Sequence, residues 1–203
     1  MAFYITSDTH FGHENICGEN GFVETRKHFK DADEMNDAII KSINKHTDSN
    51  DVIYHLGDIG FGKPNSILEI VERIDAKVIF IRGNHDNSKV VKKLIKAGYE
   101  VNDVGIRHKQ DGKIYLLTHY PLGLGNKRVN IRNICGHIHE TEAWDWNAIN
   151  IGVDSPEIAP LGLEFGQPVP LQDAIDLVEA KWEENMKENL TEEEWLRYGG
   201  AVK

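Results

Sequence analysis

The order of apolar and polar positions divides the chain into two halves of different character. In the first half, short apolar runs alternate with amphipathic stretches. Residues 1–7 read as a buried strand that ends at Asp8. Residues 11–30 are polar, carry Gly12, Gly18 and Gly21, and read as a loop. Asp33 is a suitable N-cap for a helix with Met35, Ile39, Ile40 and Ile43 on one face. The run 51–56 predicts a second strand, ending at Gly57-Asp58. A helix over about 65–75 follows, with Ile67, Leu68, Val71 and Ile74 inward. Residues 77–81 predict a third strand, ending at Gly83-Asn84-His85-Asp86. Residues 88–97 are helical again and close on Gly98. This alternation implies parallel strands joined by right-handed crossovers.

The second half lacks that alternation. Residues 101–104, 114–117, 131–135 and 148–153 are strand candidates with no helix between them. They predict a second, more antiparallel sheet packed beside the first. Residues 154–170 hold four of the six prolines and read as a loop. Beyond it, Leu171, Ile175, Val178, Trp182 and Met186 share one helical face. Thr191 and Glu194 form a candidate capping box for a last short helix carrying Trp195 and Leu196. The expected organisation is one α/β domain over 1–170 and an acidic helical extension over 171–203, packed on the same domain.

Composition narrows the function classes. The 203 residues are 40% apolar and 28% charged, as in an ordinary globular protein. The net charge of −10 argues against strong binding to duplex nucleic acid or to an anionic membrane surface. No apolar run is long enough for a transmembrane helix, and the first residues do not form a secretory signal. Cys17 and Cys135 cannot build a disulfide framework and read as buried small hydrophobes, which suits a reducing, cytoplasmic compartment.

The chemistry lies in the ten histidines and where they stand. Five short pieces place polar residues just past strand ends: Asp8-Thr9-His10, Gly57-Asp58, Gly83-Asn84-His85-Asp86, Thr118-His119-Tyr120-Pro121 and Gly136-His137-Ile138-His139. In open α/β sheets, functional groups gather at the carboxyl ends of the strands. Together these pieces offer Asp8, His10, Asp58, Asn84, His119, His137 and His139 as metal ligands. Oxygen donors mixed with imidazoles suit transition metals such as manganese, iron or zinc better than calcium or magnesium. Seven ligands are too many for one tetrahedral ion. Two ions sharing Asp58 is the economical arrangement. If the backbone is extended, Asp8 and His10 project to one side, as do His137 and His139. A lone D-x-H or H-x-H triplet arises easily by chance. Five blocks at successive strand ends do not.

In this order, the five blocks resemble the calcineurin-like metallophosphoesterase superfamily, in particular its small bacterial and bacteriophage members. The resemblance spans residues 3 to about 154 and includes Asn150-Ile151-Gly152-Val153-Asp154. It implies a four-layer α/β/β/α sandwich of two mixed β-sheets flanked by helices. It also implies two divalent metal ions, manganese foremost, with iron, zinc, nickel or cobalt as alternatives. One ion would take Asp8, His10, Asp58 and His139, and the other Asp58, Asn84, His119 and His137. His85 would be the catalytic imidazole that assists the leaving group, with Asp58 and Asn84 beside it in the catalytic set. The implied reaction is two-metal hydrolysis of a phosphate ester.

The chain departs from the superfamily's protein phosphatases. It reads Gly57-Asp58-Ile59-Gly60-Phe61-Gly62, without the Asp-Arg pair that those enzymes place after the Gly-Asp block. Phosphoprotein substrates are therefore disfavoured, and the group that orients His85 is not evident. A phosphodiesterase acting on a small phosphorylated or nucleotide-type substrate is the leading expectation. A phosphomonoesterase and a catalytically silent binding protein of the same fold are its competitors. His13, Asn15, Arg128 and Arg132 are candidate substrate contacts, each weighed against an ordinary loop or surface role. His55 reads as a core or supporting histidine. Trp182 and Trp195 would anchor the extension to the domain or to a second copy in a homo-oligomer.

Overall fold

The computed structural model describes residues 1–124, 130–189 and 191. The first half folds as its pattern predicts. Strands β1 (Phe3–Thr6), β2 (Val52–His55) and β3 (Lys77–Ile81) alternate with helices α1 (Ala32–His46), α2 (Pro64–Val71) and α3 (Ser88–Lys96). The strands pair in parallel, with Ile5 opposite Tyr54 and Ile53 opposite Val78. Helix α1 starts slightly earlier than expected. Asp31, not Asp33, is its cap and accepts from the Glu34 N–H at 3.0 Å. Asp33 falls in the first turn, where its charge still favours the helix N-terminus.

The second half corrects the sequence reading in four places. Strand β4 (Glu100–Asn102) joins the first sheet, parallel to β3. Strand β5 (Gly105–Gln110) has no apolar run, yet forms a hairpin with β6 (Lys113–Thr118). Its turn is Asp111-Gly112, with φ of 48° and 76°, the left-handed pair a tight hairpin needs. Third, β6, β7 (Ile131–Cys135) and β8 (Ala148–Asn150) pair in parallel, and in this sheet only β5–β6 is antiparallel. The connections 119–130 and 136–147 are long enough for crossovers, and that length was the cue for parallel pairing in place of a helix. Fourth, residues 154–170 are not merely a loop. They contain a 3-10 helix, Pro156–Leu161, and a short strand β9 (Val169–Pro170) antiparallel to β1. Pro170, which has no N–H to give, sits at the sheet edge as such a residue must.

The result is two mixed sheets with flanking helices, in the orders β4-β3-β2-β1-β9 and β5-β6-β7-β8. Helices α1 to α3 cover one face of the first sheet, burying Met35, Ile39, Ile67 and Leu94 with Ile53, Val78 and Phe80. The opposite face places Ile5, Leu56 and Ile81 with Leu117, Ile134 and Ile149 of the second sheet. Helix α4 (Leu171–Asn189) adds Leu171, Ala174, Ile175 and Val178 to this second core. Residues with apolar neighbours on both sheet faces read as continuous apolar runs, which is why β1 to β3 were legible. The expected last helix with Trp195 lies outside the described residues.

Candidate metal centre

Each candidate ligand stands just past the carboxyl end of a strand. Asp8 and His10 follow β1, Asp58 follows β2, Asn84 and His85 follow β3, His119 follows β6, and His137 and His139 follow β7. The parallel pairing of β6 and β7 puts the last three on one edge. An antiparallel pair would have sent His119 and His137 to opposite ends.

The local backbone is not extended, contrary to the geometry expected of the two triplets. Asp8, His10, Asp58, His137 and His139 have φ of 60°, 48°, 53°, 76° and 44°. Among the described residues, Asp111 is the one other non-glycine position with positive φ. Such left-handed conformations cost roughly 1–3 kcal/mol each and persist where the surroundings over-determine them. Here main-chain bonds supply that constraint. Asp8 N–H donates to the Gly57 carbonyl, His10 N–H to Asp58 and Phe11 N–H to Ile59, at 2.9–3.0 Å. Glycine makes room for the carboxylates. A Cβ at Gly83 would overlap the Asp58 carboxylate, and one at Gly136 would overlap Ser7 Oγ and the Asp8 carboxylate.

The side chains gather into two groups. Asp8, His10 and His139 bring their donor atoms within 4.8 Å of one another, and Asp58, His119 and His137 do the same. Asp58 lies between them. Its Oδ2 is 3.5 Å from Nε2 of both His10 and His119. Asn84 Oδ1 is 2.8 Å from His119 Nε2. His85 is exposed at the mouth, with its backbone N–H on Asp58 Oδ1 at 2.9 Å and its ring 5.4 Å from that of His10.

The donor chemistry fits a pair of cations. Both nitrogens of the buried His10 ring lack a hydrogen-bond partner, which is costly unless another ligand takes them. Burial, with the nearby Arg26 charge, drives the His10 imidazole far below its usual range. Burial pushes the Asp8 carboxyl up to about 7, against the pull of His139, and also raises Asp58. Burial lowers His119 to about 4, so it is neutral at pH 7. Its Nδ1–H donates to the Leu56 carbonyl at 2.9 Å, which leaves the Nε2 lone pair facing the site. His139 goes the other way: against burial, its hydrogen bond to Asp154 and the Asp8 charge raise it. Two buried carboxylates raised by burial, beside the lowered imidazoles of His10 and His119, form a cation-seeking set.

Two features behind the ligands were not read from sequence. Arg26 is fully buried and grips Asp154, Nε to Oδ1 at 2.8 Å and Nη2 to Oδ2 at 2.5 Å. The same guanidinium donates to the Asp8 and Thr9 carbonyls. Asp154 in turn accepts from His139 Nδ1–H at 2.9 Å, fixing the tautomer that turns Nε2 inward. Burial alone would raise the Asp154 carboxyl, but His139 and Arg26 hold it well below the usual carboxylate range. Arg26 sits in a polar stretch and resembles a surface charge; only the Asp154 block hinted at a partner. Asp86, next to His85 in sequence, does not orient it. Its carboxylate accepts the backbone N–H groups of Asp58, Ile59 and Gly83 at 2.7–3.0 Å and so shapes the Asp58 loop.

The remaining expectations divide. His55 is buried and supports the site. Its Nε2 lies 2.9 Å from Thr9 Oγ1, and burial lowers its pKa to about 3. His13 is at the centre, its ring 5.6 Å from that of His10. Asn15 lies in an exposed 3-10 turn and is not part of either ligand group. Arg132 is a correction. Its side chain points with Ile134 into the core, bonds Glu179 at 2.9 Å and stacks over Trp182. Fully buried and bound to these two partners, it is unavailable to substrate. Trp182 is thus an anchor of α4 on the domain. Arg128 lies outside the described residues. Cys17 and Cys135 are free and buried.

Comparison with known proteins agrees with this geometry. The family profile described as the calcineurin-like phosphoesterase superfamily domain matches residues 1–151. The chain belongs to that superfamily, a family of metal-dependent phosphoester hydrolases. It is 28% identical over 178 residues to the uncharacterized protein MJ1445 of Methanocaldococcus jannaschii, covering 87% of this chain and 90% of that one. Among solved structures, it resembles the protein of unknown function AQ665 from Aquifex aeolicus, with a TM-score of 0.61 and 25% identity over 87% of this chain and 98% of that one. It also matches an archaeal phosphodiesterase, with a TM-score of 0.44 and 23% identity over 75% of this chain and 84% of that one. Among the described residues, no helix is long and apolar enough to cross a membrane.

Proposed function

We propose that the protein is a dinuclear metal-dependent phosphodiesterase acting on a small nucleotide-type substrate. The observation that carries this reading is the pair of ligand groups around the buried Asp58, with His85 exposed beside them. Asp8, His10, Asp58 and His139 would hold one ion, and Asp58, Asn84, His119 and His137 the other. When bound, two divalent ions supply positive charge for phosphoryl oxygens and lower the pKa of a water. Carboxylate, amide and imidazole donors with no thiolate suit manganese, iron or zinc, and manganese is the favoured ion on the resemblance to the superfamily.

The protein's own side chains then have distinct tasks. His85 gives a proton to the departing oxygen, from the exposed side of the site. Asp58 holds the His85 backbone through Oδ1 and so ties the position of the acid to the shared carboxylate. Preference for a diester follows from charge. A phosphate monoester carries close to two negative charges at neutral pH and a diester one. Among the described residues, Arg26 and Arg82 bond the ligand-bearing loops, and both guanidiniums are already engaged. Arg26 is taken by Asp154, and Arg82 by Ser88 and the Asp86 carbonyl. The free, buried thiols of Cys17 and Cys135 suit a cytoplasmic setting.

The test is a parallel assay after manganese loading, with aryl phosphate diesters and monoesters. Diester turnover is expected to dominate, and His85→Ala to lower it by about 10²–10⁴-fold. Monoester turnover far above diester turnover would overturn the diester assignment. Unchanged hydrolysis in His85→Ala would remove His85 from the chemistry.

A further inference from the structure

Exposed aromatic rings flank the metal centre on both sides. Phe22, Phe61 and Tyr120 are 64%, 52% and 49% exposed, although each could bury a large apolar area elsewhere. Isolated exposed apolar side chains are common and need no explanation. These three are not isolated. Phe22 and Phe61 both pack against His13, at 5.6 and 4.7 Å between ring centroids. His13 lies 5.6 Å from His10, and Phe61 lies 6.5 Å from His85. On the other side, Tyr120 sits 4.7 Å from His137 and 5.0 Å from His119. Each platform is thus one ring removed from a different ligand group.

Their backbones are fixed while their rings face solvent. Phe61 N–H donates to the Phe11 carbonyl at 2.8 Å, and Gly60 bridges to Phe11. The Tyr120 carbonyl accepts from Thr118 Oγ1 at 2.6 Å. A rigid main chain presenting an exposed ring is what a stacking surface requires, since little order is lost on binding.

We propose that Phe22–His13–Phe61 and Tyr120 are base-stacking platforms, and that the substrate is a short nucleotide diester with a base on each side of the scissile phosphate. This rests on the phosphodiesterase reading above and names its substrate class. Stacking accepts any base, because every base has a π-face. Length is limited by charge. A long single strand needs a basic track, which a net charge of −10 disfavours. The occupant is therefore a dinucleotide-sized molecule, held by its phosphate at the centre and by its bases at the rim.

The test compares a thymidine dinucleotide with an abasic analogue of the same sugar–phosphate backbone, using the manganese-loaded protein. The wild type is expected to show a KM at least about 10-fold lower for the base-bearing diester. Phe61→Ala and Tyr120→Ala should each cut that discrimination to about 3-fold and together erase it, and Phe61→Trp should keep it. Ile95→Ala, which alters an exposed apolar side chain on α3, should leave the ratio as it is. Direct titration of thymidine 5′-monophosphate against deoxyribose 5-phosphate, followed by NMR, reads binding without turnover. Equal KM and equal affinity with and without bases, in a protein that hydrolyses both diesters, would overturn the platforms and leave the phosphodiesterase standing. Phe61-dependent binding of the nucleotide by a protein that hydrolyses no diester would do the reverse.

Discussion

The two ligand groups differ in what stands behind them. The first, Asp8, His10 and His139, is backed by buried charge: Arg26 holds Asp154, and Asp154 holds His139. The second, Asp58, His119 and His137, is backed mainly by main chain. His119 donates to the Leu56 carbonyl, and Asp86 gathers three backbone N–H groups around Asp58. A buried ion pair is sensitive, because removing one member strands the other in low dielectric. A main-chain cradle shares its load over several modest bonds. The first half of the centre should therefore fail abruptly and the second by degrees.

Substitution at the shared position erases the contrast and gives the largest effect. Asp58→Ala should abolish both ion sites, so that metal analysis of the purified protein falls from two ions per chain towards none. Retention of one tightly held ion would show that the groups do not depend on a common carboxylate. Next comes Arg26→Met, which leaves Asp154 buried with one charge partner fewer. A loss of about 3–5 kcal/mol is expected, or a melting temperature lower by roughly 10 °C for a chain of this size. Calorimetry showing a shift below about 2 °C would mean that the pair does not brace the fold. Asp86→Asn probes the other side. It turns one acceptor into a donor facing backbone N–H groups, at about 1–3 kcal/mol. Manganese titration should show the second ion weakened by about 10–100-fold and the first nearly unaffected; equal weakening of both would break the comparison.

The last effect is a pH slope, nil at neutral pH and growing as the solution is acidified. His55 has a pKa of about 3 in the folded protein, well below its ordinary 6.5, because burial disfavours the charged ring. Between those values the unfolded chain takes up a proton that the folded one refuses. The stability His55 contributes is thus intact above pH 6.5 and is lost as pH falls towards 3. His55→Gln should make the decline in unfolding free energy, read from urea titrations between pH 6.5 and 4, shallower by about 1.4 kcal/mol per pH unit at most. An unchanged slope would assign that titration to other groups.

Legibility in the sequence followed the same physics. Strands β1, β2, β3 and β7 were readable because burial on both faces gives apolar runs bounded by glycine or aspartate. Strand β5, Gly-Ile-Arg-His-Lys-Gln, has the composition of an exposed segment and gains its pairing from β6 alone. The parallel pairing of β6, β7 and β8 has no such signature, because its crossovers are long loops without the helices that mark β1 to β3. At the site, the candidate ligands were readable from short blocks at strand ends. Arg26 was not, since its partner lies 128 positions away. Arg132 misled for the opposite reason. Its closeness in sequence to the Gly-His-x-His block says nothing of which strand face it occupies.

The left-handed backbone at five of the seven candidate ligands restricts how this centre can change over time. A replacement there must tolerate positive φ and also present a donor. Asparagine, aspartate and histidine do both; glutamate and cysteine meet only the second requirement. Asn84 and His119 carry no such backbone restriction. Retuning of the centre towards a different ion, in the laboratory or in divergence, is therefore channelled through those two positions, while the other five form a nearly closed alphabet.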